Sequence, residues 1–377
     1  MSASPLEGLL VVSIEQAVAA PFCSARLADA GARVLKIERP EGDFARYYDA
    51  ATSAGSSYFI WLNRGKESVV LDLALTEARE QLREIIARAD VLIQNLKPGA
   101  MARLGLSIES LRAAYPRLIC CSITGYGDEG PLASRKAYDL LIQAESGLAS
   151  ITGGPESPAR VGISVVDIST GITAQTAILE ALIGRGRTGE GADIRISMFD
   201  VMADWMAVPL FNAEQGNPPK RSGLSHTSIA PYGVFSTADG REVLISIQNE
   251  REWKSFCAGV PGLSWMASDP RFANTVLRVT NRPETDAAVA AAFGALPASE
   301  LLAYLTRADI AFAEVNDMDA LSRHPHLRRM TVKSAAGEIA FPAPAPIIRG
   351  AERHYGPVPS LGQHTEAVLA EFCGKDR

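Results

Sequence analysis

Residues 159–197 read ARVGISVVDISTGITAQTAILEALIGRGRTGEGADIRIS, and the order of segments within them decides the fold. Small and β-branched residues from Val161 to Val166 lead to a single acid, Asp167. From about Ser169 to Ile183 the chain reads as a helix with Glu180 as its one charge. A Gly/Arg turn follows, then an alternating strand from Ala192 to Ser197. The same alternation runs upstream. Leu9–Ile14, Val34–Glu38, Ser68–Leu73, Val91–Leu96 and Leu118–Thr124 read as short apolar strands. Helices are expected at Pro21–Asp29, over about a dozen residues after a Thr76 cap, and at Leu106–Tyr115. Nearly continuous apolar strands separated by helices define a doubly wound parallel sheet of the α/β class.

Such sheets bind ligands beyond the carboxyl ends of their strands. That rim gathers Glu15–Pro21, Arg39, Leu73–Ala74, Asn95–Lys97 and Gly125–Gly130. The run Gly184–Gly189 spells GxGxxG, but it follows a helix and precedes a strand. A dinucleotide fingerprint needs the opposite order, so that pyrophosphate meets a helix N-terminus. The run therefore reads as a helix stop, and the first strand–helix turn (Glu15–Pro21) contains no glycine. Both points speak against a Rossmann dehydrogenase.

After Ser197 a helix is expected from Phe199 to about Ala213, then a polar Pro/Gly-rich passage over 215–221. The domain boundary is placed there, with residues 1–215 as the first part of a large α/β domain. Residues 225–325 read as a smaller α+β domain. It begins with a hairpin (Gly233–Phe235, Val243–Ile247) around Asp239-Gly240 and continues with helices near Glu250–Cys257, Arg282–Ala295 and Ser299–Arg307. Residues 330–377 form a Pro-rich, largely extended segment ending in a helix from Thr365 to Phe372.

A formal charge of −6 argues against nucleic acid as a partner, because phosphate backbones need clustered surplus cations. The five cysteines are odd in number and lack CxxC spacing, so reduced thiols are expected. The five histidines form no HxxxH or HExxH pair, and no metal is expected. Ala17-Val-Ala-Ala20 mimics a signal-peptidase site, but Glu7 and Glu15 interrupt the run and no basic segment precedes it. No apolar stretch reaches membrane-spanning length. A cytoplasmic protein without a membrane partner is expected.

Asp167 has two readings. It precedes Ile-Ser-Thr at a helix start, where an aspartate commonly caps orphan amides. A carboxylate is also a nucleophile that needs no base at neutral pH, and a helix N-terminus would keep it charged. Gly171, one turn on, would leave room for a ligand. Arg39, Arg103 and Lys136 are cations at the rim that suit a phosphate-bearing ligand, or plain surface charges. Asn95 suits either a ligand or its own turn.

The chain resembles the class III CoA-transferase family, which includes formyl-CoA, carnitine and succinyl-CoA-dependent transferases and α-methylacyl-CoA racemases. The matching stretches are Pro5–Leu9, Val34–Asp43, Lys66–Asp72, Asn95–Gly99, Ser122–Gly127 with Gly130-Pro131, Tyr138–Gln143, Gly162–Gly171, Gly189–Gly191, Ala230–Phe235 and Leu361–Thr365. They cover nearly the whole chain in order. The resemblance implies a Rossmann-like large domain, a small second domain, a C-terminal segment returning to the first, and an interlocked homodimer. It places Asp167 on the family's catalytic aspartate, attacking an acyl-CoA through a mixed anhydride. It places coenzyme A, the co-substrate, against Val18, Ala19, Arg39, Leu71, Leu73, Ala74, Asn95, Leu96, Lys97, Arg103, Lys136, Tyr138 and Asp139.

Three departures narrow the expectation. Tyr138 stands where the racemases carry a catalytic histidine, which disfavours racemisation. Val18 stands where formyl-CoA transferases carry glutamine, and their glycine-rich loop is missing, which disfavours formate/oxalate chemistry. Ala74 stands where some relatives carry lysine, so one phosphate contact is lost. Arg221 and His226 are candidates to face the acyl group. The expected activity is CoA transfer to a C4–C5 dicarboxylate such as succinate, mesaconate, itaconate or malate. The alternatives are an isomerase of the same fold and a non-catalytic acyl-CoA-binding protein.

Overall fold

The apolar runs upstream of residue 200 become strands of one sheet because an apolar core forms on each of its faces. In the computed structural model, which describes residues 4–52, 55–335, 337–350 and 353–374, these are β1 (Leu10–Ile14), β2 (Arg33–Glu38), β3 (Lys66–Val70), β4 (Val91–Gln94), β5 (Ile119–Thr124) and β6 (Asp193–Ser197). They pair in parallel in the order β3-β2-β1-β4-β5-β6. Helices α1 (Ala19–Asp29), α2 (Ser57–Asn63), α3 (Thr76–Ile86), α4 (Ala100–Arg103), α5 (Ile108–Ala114), α6 (Asp139–Glu145), α7 (Leu148–Ile151) and α8 (Val165–Thr188) fall between the strands. Cys120 and Cys121 are neighbours in β5 yet belong to opposite cores. One core packs under α1 and α8, the other under α3, α5 and the C-terminal helix (Thr365–Cys373). The order reverses between β1 and β4, which opens a crevice beyond their carboxyl ends.

Several boundaries differ from expectation for tertiary reasons. β3 starts at Lys66 and ends at Val70, short of Leu73. The ammoniums of Lys66 and Lys36 are buried against Glu15. Thr76 is the first helical residue of α3 and not its cap; its hydroxyl accepts from Arg79. The expected helix over 199–213 breaks into α9 (Met198–Trp205) and α10 (Ala207–Glu214). Pro209 lies four residues beyond Trp205 and has no N–H for its carbonyl.

α8 is longer at both ends than the sequence suggests. It begins at Val165 because Asp139, on α6, accepts the amides of Val166 (2.8 Å) and Asp167 (3.2 Å). It runs through Gly184 and Gly186 to Thr188 because the buried Arg185 anchors on Asp90 at 2.9 Å, and Gly189 (φ +80°) ends it. All but the last of the GxGxxG letters thus lie in helix.

Gly171 serves packing and not ligand access. A Cβ there would meet Ala19 O at 2.7 Å and Phe22 Cβ at 2.9 Å, where α8 crosses α1. Gly171→Ala is expected to destabilise the fold by about 1–3 kcal/mol through this overpacking. That outweighs the ~1 kcal/mol alanine gains in helix propensity, and a lowered urea midpoint would show it.

Of the described residues, those within Met1–Leu148, Arg160–Val208 and Arg328–Arg377 form one compact unit, and Ala149–Ala159 with Pro209–Leu327 form a second. Residues 149–159 and 209–215, assigned by sequence to the large domain, therefore belong to the second unit. That unit carries the antiparallel sheet β7 (Tyr232–Ser236), β8 (Glu242–Ser246) and β9 (Ala311–Glu314); β9 was not apparent from sequence. In the first unit, β10 (Arg329–Ser334) and β11 (Gly337–Pro342) form a hairpin packed on Phe59 and Ile60. Among the described residues no single helix is long and apolar enough to cross a membrane.

Candidate active site

The first turn of α8 places Asp167 at the crevice. Asp139 satisfies the helix start in its stead, so Asp167 is not the cap and its carboxylate is left to face the cleft. Asp139 is held in turn by the buried Gln143 on the same helix, whose Nε2 donates to it at 2.7 Å. Gln143 also accepts the Val161 amide at 2.9 Å. The Tyr138–Gln143 motif is thus the clamp that holds the 161–167 segment. Burial, and then the charge of Asp139, push Asp167 from the ordinary 3.8 up to about 7. The expectation that the helix terminus keeps Asp167 charged is therefore corrected. The nearby amides are already spent on Asp139.

Facing α8 is the turn after β1. Asn95 brackets Gln16: its Oδ1 accepts the Gln16 amide at 3.0 Å and its Nδ2 donates to Gln16 O at 2.8 Å. Asn95 spans the β1/β4 crevice and contacts neither its own turn nor open solvent alone. Ala17 follows with φ +65°, a left-handed conformation costing a residue with a Cβ about 1–2 kcal/mol. Its amide donates to Asp43 at 3.1 Å.

A cavity of about 460 Å³ lies between these elements. It brings together Val18, Ala19, Asn95, Leu96, Lys97, Lys136, Tyr138, Asp139 and Asp167. A second cavity of about 410 Å³ takes in Arg39, Leu71, Leu73, Ala74 and Leu96, and both share Gln16 and Leu96. The groove they make up where they adjoin carries both signs of charge: Asp139, Asp167, Lys97 and Lys136 line the first cavity, and Glu38, Asp72 and Arg39 the second. Arg103 lines neither cavity and is exposed at the end of α4. Arg39 donates to Gly42 O at 3.0 Å, which fixes its stem.

Sequence reasoning missed an aromatic wall and two cations. Phe44, Tyr48 and Tyr58 line the larger cavity, with Tyr48 edge-on to Tyr58 at 5.6 Å. The signal was the aromatic cluster Phe44–Tyr48 just after the Gly42-Asp43 of a matched stretch. Arg135 and Arg160 also line it. Arg135 is paired with Glu145 at 2.5 Å, whereas among the described residues Arg160 makes one bond, from Nη2 to Gly162 O at 3.2 Å.

Arg221 is corrected. All three of its guanidinium nitrogens donate to carbonyls of the 149–159 segment: Gly154 at 3.1 Å, Ser150 at 3.0 Å and Pro155 at 3.2 Å. It ties the second unit together. His226 stacks on Tyr232 at 5.2 Å and its Nδ1 accepts the Ser228 amide.

With an open α/β sheet and a half-buried aspartate lining the crevice, the chain is also matched by relatives over nearly its whole length. The chain belongs to CoA-transferase family III, which it matches over residues 6–365, and it is an enzyme of that class. It is 34% identical over 384 residues to succinate–glutarate CoA-transferase of Agrobacterium fabrum, covering 98% of this chain and 96% of that one. It is 36% identical over 380 residues to acetyl-CoA:oxalate CoA-transferase of Acetobacter aceti, covering 99% and 97%. A solved CAIB/BAIF family protein from Brucella suis superposes with a TM-score of 0.85 at 33% identity, covering 98% and 100%.

Proposed function

We propose that the protein moves coenzyme A from an acyl-CoA donor to a small dicarboxylic acid, with Asp167 as the nucleophile. The observation that carries this is the Asp167 carboxylate in the groove, its helix-capping duty taken over by Asp139. An Asp167 oxygen attacks the donor thioester carbonyl, the C–S bond breaks, and CoA thiolate leaves behind an acyl–aspartyl anhydride. The thiolate attacks the aspartyl carbonyl and releases the donor acid, leaving an enzyme–CoA thioester. The acceptor carboxylate attacks that thioester, expels thiolate and forms a second anhydride. Thiolate then attacks the new acyl carbonyl, product acyl-CoA departs, and the Asp167 carboxylate is regenerated.

An anhydride hydrolyses readily, so the site must exclude water. Phe44, Tyr48 and Tyr58 supply the apolar wall for this. Lys97 and Lys136 suit the phosphates of CoA, with Arg39 in the adjoining cavity. In this reading the enzyme acts as an interlocked homodimer in the cytoplasm. Named relatives act on succinate with glutarate and on oxalate. Oxalate therefore stands among the acceptors to test, despite Val18 and the missing glycine-rich loop.

Trapping tests the reading. The protein is incubated with a panel of short acyl-CoAs, quenched with hydroxylamine, and its peptides are mapped by mass spectrometry. A hydroxamate on Asp167 with some donors and not others is expected. An unmodified Asp167 with CoA still bound would favour the silent binder, and α-hydrogen exchange with D₂O without free acid would favour the isomerase.

Arg160 is the groove cation suited to an acceptor's distal carboxylate, since its Nε and Nη1 make no ion pair among the described residues. Arg160→Met is expected to raise the KM for a dicarboxylate acceptor about 10- to 100-fold, with a monocarboxylate acceptor unchanged. An equal rise for both, with weakened CoA binding, would instead assign Arg160 to a CoA phosphate.

A further inference from the structure

Ala17 is one of two described non-glycine residues with positive φ, and it lines the groove. Asp43 accepts three donors at this turn. Its Oδ1 takes the Ala17 amide at 3.1 Å and the Ala45 amide at 2.9 Å, and its Oδ2 takes Lys36 Nζ at 2.9 Å. Its side chain is 1% exposed, and its own amide donates to Glu38 at 3.0 Å. Asn95 brackets Gln16 from the other side at 3.0 and 2.8 Å. A left-handed alanine clamped from the segments that follow β2 and β4 is strain held at a functional site.

The turn determines where α1 starts. Val18 precedes the helix without a side-chain cap, and no described protein group accepts the amides of Val18 or Ala19. Both residues are buried and line the same cavity as Asp167. Ile168, beside Asp167, packs against the buried cluster of Val18, Phe22 and Leu62, and α1 packs along α8. The open amides share one cavity with the Asp167 carboxylate, and free donors there suit the negative charge that develops on an acyl oxygen.

We propose that Asp43 is a positioning residue for the transfer reaction: by holding Ala17 left-handed it aims the open Val18 and Ala19 amides at the acyl group carried by Asp167. This rests on the transferase reading above. Asp43 borders the second cavity, but its carboxylate is buried and spent on Ala17, Ala45 and Lys36, so it acts through the turn.

The test uses the full-length protein with succinyl-CoA as donor and glutarate as acceptor, CoA affinity by calorimetry, and a thermal melt for each variant. Transfer by the wild type is measured first, and its absence with every acyl-CoA would overturn the transferase reading and this inference together. Given an active wild type, Asp43→Ala is expected to lower kcat about 10- to 100-fold, the cost of a small misplacement, with the CoA Kd within about threefold. Adding Ala17→Gly is expected to recover much of that loss, because glycine adopts the left-handed region unaided. Asp43→Asn keeps an acceptor for the Ala17 amide and is expected to retain most of kcat. If Asp43→Ala does not fold, Ala17→Val makes the same test with the Asp43–Lys36 pair intact. Its β-branched side chain disfavours positive φ and is expected to reproduce the kcat loss. A kcat near wild type in Asp43→Ala or Ala17→Val, or a loss that Ala17→Gly does not reduce, overturns the proposal.

Discussion

Asp167→Asn is expected to lower CoA transfer by about a thousandfold or more while CoA itself still binds. The amide keeps the shape of the carboxylate and removes the electron pair that forms the anhydride. Asp167→Ala, run beside it, guards against activity regained by deamidation. The wild-type pH profile carries a second signature. Burial and Asp139 raise Asp167 to about 7, and only the ionised form attacks. The kcat/KM for the acyl-CoA donor should therefore rise with pH through about 7 and then level off. The same shift predicts the sign of a stability change. A carboxyl raised from 3.8 to about 7 binds its proton more tightly when folded, so its ionisation costs the fold stability progressively between those values. Asp167→Asn should escape that cost. Its gain over wild type should be near zero below pH 4, grow towards pH 7 and stay constant above, at on the order of a few kcal/mol. Melts at pH 5 and pH 8 would show it; equal melting temperatures for the two proteins at pH 8 would contradict the raised pKa.

Glu15→Gln should cause the largest loss of stability. The Glu15 carboxylate is 0% exposed beneath the turn that carries Ala17. It accepts from Lys66 at 2.6 Å, Ser13 at 2.6 Å, Ser24 at 2.5 Å and Lys36 at 3.4 Å. Burial alone would raise its pKa, but Lys66 and Lys36 reverse that and hold it at about 2. Burial lowers Lys66 to about 8, with Glu15 opposing, so the cluster is not symmetric: Lys66 is the less comfortable charge. Removing the one anion these two ammoniums share leaves buried charge uncompensated, at about 3–5 kcal/mol. That corresponds to a fall of roughly 5–10 °C in the melting temperature of the unit containing it. Lys66→Met added to Glu15→Gln should restore part of the loss by removing the charge left unpaired. A depressed carboxylate contributes stability that is complete above its ordinary 4.5 and lost as pH falls towards about 2. The wild-type protein should accordingly lose this contribution across that acid window, and the variant should not.

The parallel sheet was legible because its strands are nearly all apolar and its breaks carry Pro, Gly or Asn. Even the split of Cys120 and Cys121 between two cores follows from the two-residue period of a strand. The helix carrying Asp167 was legible as a helix but not in extent. Its start depends on Asp139, 28 residues upstream of Asp167, and its end on Arg185 reaching Asp90 across 95 residues. A local pattern carries neither contact. The burial of Lys36 and Lys66 is equally non-local, since the Glu15 that receives them is 51 residues from Lys66. Arg221 looked like a ligand group because its three backbone carbonyl partners have no side-chain signature. Phe44, Tyr48 and Tyr58 lay in a stretch with no regular period.

The outer edge of β3 has consequences for how the chain is made. Its Ser68 amide donates to His364 at 3.1 Å and its Val70 amide to the Thr365 hydroxyl at 2.9 Å, while the Gly362 amide donates to Ser68 Oγ. Side chains thus stand in for a missing strand, and they come from residues 294–296 positions further on. At ~5–20 residues per second, the ribosome needs roughly 15–60 s after finishing this edge to produce what seals it. Throughout that interval the nascent sheet presents unpaired amides to any neighbouring polypeptide. The segment around Gly362–Thr365 therefore governs how long the emerging protein depends on protection during its synthesis.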